Sequence, residues 1–413
     1  MANRREFIKN SAILAGGTAL FGSSVICGGV GNRARKSRVV SAAAEDMLSD
    51  QKYHPDAVHR AFSAGLKELT DENSLENAWA SLFSSEDVVG IKVNCIGAPR
   101  ISSSVESINE TIKGLKSAGV KENNIIVWDH MDQAFRRTGL QVNRSQTGVR
   151  IHGTSDKSGA TIPWTEGFDR NVYITLEEGT LKKFRQLVGH NFTEHGSHRE
   201  IFNSCAWLWM LISLGNEEAQ KYREDIRRLY MDYEDREGIK RIAEEVAGKF
   251  DDVVIEDEDK SFFSEIVTKD ITKLVNIAVL KHNEDSGVTW ATKNIALGVT
   301  TNKIRFHIDY CTKSIAEILH QPCIKDKMVL HIGEAAKIST VSVAGAQMAL
   351  DNRIFFSHDP VAMDRIGLDI LEEKRQEMGL ESIRNISTHV AACAKKGLGT
   401  DDLTKIDLRA LQV

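Results

Sequence analysis

The sequence predicts an α/β fold: a central mixed or mostly parallel sheet with flanking helices and a helical insertion. Three observations carry this reading. Short apolar runs turn polar at their ends, as in Val88 to Cys95 and in Lys273 to Asn283. Amphipathic stretches at helical spacing lie between them, joined by short connections. The composition, 41% hydrophobic and 27% charged over 413 residues, is that of a globular chain and excludes a disulfide-stapled miniprotein. One discontinuous α/β body with insertions fits this pattern better than separable domains.

Residues 1–44 read as an export signal and linker. Asn3-Arg4-Arg5-Glu6-Phe7-Ile8-Lys9 precedes a mildly apolar stretch from Ser11 to Val30, and together they resemble a twin-arginine export signal. That resemblance implies the twin-arginine export machinery as a partner and the periplasm as destination. Ala42-Ala43-Ala44 before Glu45 offers a cleavage site, whereas bulky Ile26 opposes a lipoprotein reading at Cys27. Residues 45–84 form an N-terminal helical segment, with Val58, Phe62, Leu66 and Leu69 on one recurring face and Leu75, Ala78, Trp79 and Leu82 on another.

Residues 85–203 begin the α/β body. A strand at Val88 to Cys95, a helix over Ser103 to Ala118 and a strand at Ile125 to Trp128 make a βαβ unit. Loops with a short strand near Val149 to Ile151 follow, then a strand at Asn171 to Leu176. Residues 204–250 read as a helical insertion whose charges form a solvated face, with Glu217 and Lys221 at a supportive spacing. The body resumes over 251–413, with strands at Val253 to Ile255, Lys273 to Leu280, Lys327 to His331 and Arg353 to Phe356. Short helices fit Thr289 to Leu297 and Ser314 to Leu319, and Pro360 starts a helix to about Lys374 that Asp359 caps.

Charge narrows the function. The chain carries 53 basic and 58 acidic residues, but seven basic and one acidic fall within residues 1–44, leaving 46 against 57 beyond. So acidic a body is a poor nucleic-acid binder, although a local basic pocket for a small anion remains open to it. No later segment has the length of apolar sequence that spans a bilayer. The six Cys, at 27, 95, 205, 311, 323 and 393, contain no Cys-x-x-Cys pair, so a ferredoxin-type iron–sulfur motif is missing. Cys311 and Cys323 are the nearest candidates for a disulfide.

Three strand exits are polar in the same way: Lys92 with Asn94, Asp129 with His130, and Lys281 with His282 and Asn283. Ligands of open α/β sheets sit outside the carboxyl ends of strands, so these groups are expected to converge. A lysine there would pay desolvation unless an anion compensates it. Gly287 to Asn294 adds a loop entering a helix, where Thr289, Lys293 and Asn294 could meet phosphate or carboxylate. Asp129, His130 and His282 could instead ligate a divalent transition metal, and the dense set His190, His195 and His198 is a weaker alternative.

Ile91-Lys92-Val93-Asn94, Leu280-Lys281-His282, Gly287-Val288-Thr289, Lys293-Asn294, Gly298 and Asp359-Pro360-Val361-Ala362-Met363-Asp364 together resemble a bacterial and archaeal family catalogued as domain of unknown function 362. The similarity spans roughly residues 85–375 with a long central insertion. It implies a polar cleft with candidates at Lys92, Asn94, Lys281, His282, Thr289, Lys293, Asn294, Asp359 and Asp364, with looser matches at His307 and Asp129. Many relatives resemble ferredoxin fusions, whose cysteines this chain lacks.

The expected function is an exported enzyme acting on a small anionic or polar substrate. His282, Lys281, His130 and Lys92 would be catalytic, Asn94, Thr289, Lys293, Asn294 and Asp364 would bind substrate, and a metal could assist. The alternative is a noncatalytic ligand-binding or cofactor-carrying periplasmic protein.

Overall fold

Apolar strands of the kind just described need neighbours on both edges. In the computed structural model they find them in a ten-stranded sheet. The structure describes residues 36–155, 166–179, 216–225, 256–343 and 345–413, with isolated positions at Leu208, Leu211, Ile212, Glu237, Arg241 and Glu245. The export-type segment, most of the helical insertion, Val253 to Ile255, and His190, His195 and His198 lie outside the described residues.

In chain order the described strands are β1 (Ser37–Ala43), β2 (Leu48–Ser49), β3 (Lys52–Tyr53), β4 (Val89–Lys92), β5 (Ile125–Met131), β6 (Arg150–Ser155) and β7 (Phe168–Thr175). They continue with β8 (Lys260–Ser264), β9 (Lys273–Asn283), β10 (Gly287–Thr289), β11 (Met328–Ser339), β12 (Met348–Leu350), β13 (Arg353–Ser357) and β14 (Ile406–Gln412). The main helices are α1 (Pro55–Thr70), α2 (Leu75–Leu82), α3 (Val105–Ser117), α4 (Ala291–Gly298), α5 (Thr312–His320), α6 (Pro360–Glu377) and α7 (His389–Lys395).

The sheet order is β14-β1-β13-β11-β9-β4-β5-β6, with β10 on β9 and β12 on β11. Strands β11, β9, β4, β5 and β6 are parallel, β13 runs antiparallel to β11 and β1, and β14 is parallel to β1. This is the expected mixed, mostly parallel sheet. Successive residues point to opposite faces, so each strand feeds two cores. Val89, Ile91, Val127, Ile277 and Phe356 join Phe62, Leu66 and Trp79 on one face. Trp128, Ala278, Leu280 and Phe355 join Trp290, Ile315, Met363 and Val390 on the other.

Local chemistry fixes the helix ends. Pro55 opens α1, and Ser104 caps α3 by accepting from the Ser107 amide at 3.1 Å. Asp359 caps α6 as expected, accepting from the amides of Val361 and Ala362 at 2.9 and 2.8 Å.

Several differences from the sequence reading are physical. Ser37 to Ala43 is a strand hydrogen-bonded on both sides, not linker, because Val39, Val40 and Ala42 bury fully within the sheet's two cores. Strand β11 runs on to Ser339, since the small and apolar residues after His331 stay buried. Strand β7 takes up the strand expected at Asn171 to Leu176 but starts earlier, at Phe168, whereas its partner β8 and the edge strand β14 have no counterpart in the sequence reading. Cys311 and Cys323 do not pair: neither they nor Cys95 and Cys393 form a disulfide among the described residues. Among the described residues no helix is long and apolar enough to cross a membrane.

Candidate functional site

From β4 the chain passes through α3 to β5 and on to β6, moving one way across the sheet; from β9 it passes through α4 and α5 to β11, moving the other way. Strand order therefore reverses between β4 and β9. That reversal opens a crevice at the carboxyl ends of the strands, where open α/β sheets take their ligands.

Lys92 is the last residue of β4 and is buried. Its Nζ donates to Asp129 Oδ1 at 2.9 Å, to the Val93 carbonyl at 2.5 Å and to Asn294 Oδ1 at 3.4 Å. Gly298, at the end of α4, leaves the space this ammonium occupies, since a Cβ there would sit 2.0 Å from Lys92 Cε. Asp129 also accepts from the amides of Cys95 at 2.8 Å and His130 at 2.7 Å. Burial alone would raise this carboxyl; the Lys92 charge and the donors around it instead hold it down at about 2.

Asparagines extend the network. Asn94 Nδ2 donates to Asn294 Oδ1 at 3.1 Å, and Asn294 Nδ2 donates to Asn276 Oδ1 at 2.7 Å. Asn94 Oδ1 accepts from Lys281 Nζ at 2.8 Å. Lys281 further donates to the carbonyls of Ile96 and, at 3.1 Å, Ile101. Burial lowers the pKa of this amine, yet each of its three protons has an oxygen to accept it. Lys281 thus pins the loop that follows β4.

Two groups beside this network have capacity to spare. His130 is 4% exposed, its ring lies 5.5 Å from that of Phe168, and neither ring nitrogen meets a partner of good hydrogen-bond geometry among the described residues, although the Gly298 backbone is near enough to act on it. Lys303, in the loop after α4, is half-buried and makes no hydrogen bond or ion pair among the described residues. Burial pushes its amine down to about 7, with Lys92 adding to the effect and Asp129 opposing it. Burial and the Lys303 charge together hold the His130 imidazole well below its ordinary range, so it is neutral at pH 7.

The structure therefore brings Lys92, Asn94, Asp129, His130, Lys281 and Asn294 into one place. Thr289 lies opposite Lys281 in the β9–β10 ladder, on the same face, with its hydroxyl unpartnered among the described residues. His282 points to the opposite face, where Nδ1 meets the Val341 carbonyl and burial pushes its pKa to about 4. Lys293 turns away to Ser286. Asp364 caps α4 from α6, accepting from the amides of Ala291 at 2.6 Å and Thr292 at 3.1 Å; burial pushes its carboxyl up to about 7. His307 sits part-buried in the turn before α5. Among the described residues no group of three or more His, Cys, Asp or Glu side chains is arranged to hold a metal ion. Lys303 and Asn276 escape sequence reasoning: Asn276 is hidden inside an apolar strand, and Lys303 follows a helix with no periodic signal.

Residues 230–369 match the family model described as Domain of unknown function (DUF362). The DUF362 match takes in β9, α4, Lys303 and β11, and so covers one wall of the crevice, while Lys92, Asn94, Asp129 and His130 lie before it. A crystal structure of a protein from Thermotoga maritima aligns at 9% identity with a TM-score of 0.35, covering 81% of this chain and 61% of that one. The chain thus spans about three fifths of that protein's length. No curated protein matches the chain.

Proposed function

We propose that the crevice binds a small anionic substrate and exchanges a proton with it, so that the chain is an enzyme. The supporting observation is the pair of unsatisfied groups, His130 and Lys303, beside a network whose other ammonium protons are all taken. Lys92, Lys281 and Lys303 face one firmly ionised carboxylate, Asp129, which leaves positive charge for a ligand to neutralise. Proton transfer is most efficient when a group titrates near the working pH; burial brings both Lys281 and Lys303 to about 7, but the protons of Lys281 are held by Asn94, Ile96 and Ile101, which leaves Lys303 for the task. Neutral His130 then supplies a fixed hydrogen bond without titrating, a division of labour open to two neighbouring groups whose pKa values are driven apart. Lys92 and Asp129 orient the wall.

Titration calorimetry with small carboxylates and phosphates tests the binding step. Lys303→Met is expected to weaken the best anion roughly tenfold or more, the value of a charge-assisted hydrogen bond; unchanged affinity would remove Lys303 from the site. His130→Gln separates the enzyme reading from a binding-only protein. Turnover should fall while affinity changes little, whereas full turnover in that variant would take His130 out of the chemistry.

Export to the periplasm is part of the same reading, supported by the paired arginines and the apolar run after them. Strand β1 constrains how any leader is removed. A cut after Ala44 would excise a strand that is hydrogen-bonded to both β13 and β14, so processing has to fall before Ser37. N-terminal sequencing of the exported chain should give a first residue at or before Ser37, and a mature chain starting at Glu45 would contradict this.

A further inference from the structure

Helix α4 carries two polar side chains in succession, and they serve different places. Asn294 joins the Lys92 network, whereas Lys293, 4% exposed, directs its amine to Ser286 Oγ, the one hydrogen-bond partner it has among the described residues. An ammonium has three protons to donate, so two of them lack an acceptor among the described residues. Ser286 is not set up as a nucleophile activated by this lysine, because its own proton goes to Asn283 Oδ1 at 2.8 Å.

A second unsatisfied group stands nearby. His389, the first residue of α7, is fully buried, and neither of its ring nitrogens has a hydrogen-bond partner among the described residues. The Val288 amide donates to Ser387 Oγ at 3.1 Å, which ties β10 to the entry of α7 and keeps Ser286 and His389 in one neighbourhood. Gly287 permits that approach: its φ is +66°, and a Cβ would lie 2.0 Å from Ser387 Oγ. The charge of Lys293 acts on both His389 and His282; Asp285 and Cys311 act on Lys293, and Arg375 acts on His282.

Each buried donor left without an acceptor costs about 1–3 kcal/mol. Several together, on a cationic amine and an imidazole, match a ligand that only accepts hydrogen bonds and carries negative charge. We propose that Lys293 and His389 form a second, enclosed site for a small oxyanion, a phosphate or carboxylate group, separate from the site at Lys303 and His130. Lys293 gives two charge-assisted bonds to the oxyanion and His389 gives one from its ring N–H.

The test uses the full chain with its histidine ring nitrogens labelled with nitrogen-15, the His389 signals being assigned by their loss in His389→Gln. Inorganic phosphate and acetate are titrated separately, which distinguishes a phosphate from a carboxylate ligand. A saturable shift of the His389 signals with either anion, below roughly ten millimolar, is expected in the wild type and equally in Lys303→Met, and should vanish in Lys293→Met. No saturable shift with either anion overturns the proposal and assigns the cluster to water. So does a shift that disappears in Lys303→Met, because the response then comes from the first site. Should Lys293→Met not fold, the wild-type and Lys303→Met titrations still decide between these outcomes.

Discussion

Lys281 and Lys303 are buried to different degrees in the same crevice, and they illustrate two uses of a lysine. Around Lys281 the chain has wrapped itself: a side-chain amide and two carbonyls of the Asn94 to Ile101 loop accept all three protons. Around Lys303 nothing in the described chain accepts any of them. A lysine whose protons are all taken holds a loop in position; a lysine whose protons are free, close to a buried imidazole that is also free, is available to something that is not protein. Burial alone does not separate the two cases, and hydrogen-bond satisfaction does.

The largest effect that sharpens this contrast is on stability. Lys281→Met would leave buried Asn94 Oδ1 and the carbonyls of Ile96 and Ile101 without their donor, and is expected to cost about 2–4 kcal/mol in denaturant unfolding. A midpoint unchanged from wild type would show that Lys281 is no structural pin.

Lys303→Met should act in the opposite sense and by less. The folded chain holds the Lys303 amine at about 7, below the 10.5 of an unperturbed lysine, so between those values the unfolded chain binds more protons. Wild-type stability therefore rises with pH across this window. The variant lacks that rise, and should be about 1–2 kcal/mol more stable than wild type below pH 7, with the advantage fading towards pH 10. Parallel pH–stability curves for the two proteins would contradict a perturbed Lys303.

Much of this crevice is legible in the amino-acid sequence alone. Lys92, Asn94, Asp129, His130 and Lys281 follow apolar runs at strand exits, and the rule that ligands gather there is enough to group them. What that rule does not decide is direction. Lys281 and His282 are neighbours in sequence, but a strand sends them to opposite faces, and only the identity of the packed cores tells which face meets β4. Likewise Lys293 and Asn294 leave α4 about 100° apart and enter different networks. Asp364 reads as a substrate ligand because it ends a polar motif; its use as the cap of a distant helix follows from tertiary packing that no local pattern encodes. Strand β1 is hidden by the export-type sequence before it, which makes Ser37 to Ala43 read as linker.

Following the side-chain amines by NMR through a pH titration tests the difference between the two lysines most directly, with Lys303 assigned by its loss in Lys303→Met. The Lys303 amine is expected to titrate near 7 in the free protein and to move upward when a small anion saturates the crevice. Burial brings the Lys281 amine down to about 7 as well, but its three acceptors favour the charged form, so Lys281 is expected to titrate above Lys303. A Lys303 amine that titrates near 10.5 with and without anion would contradict the account.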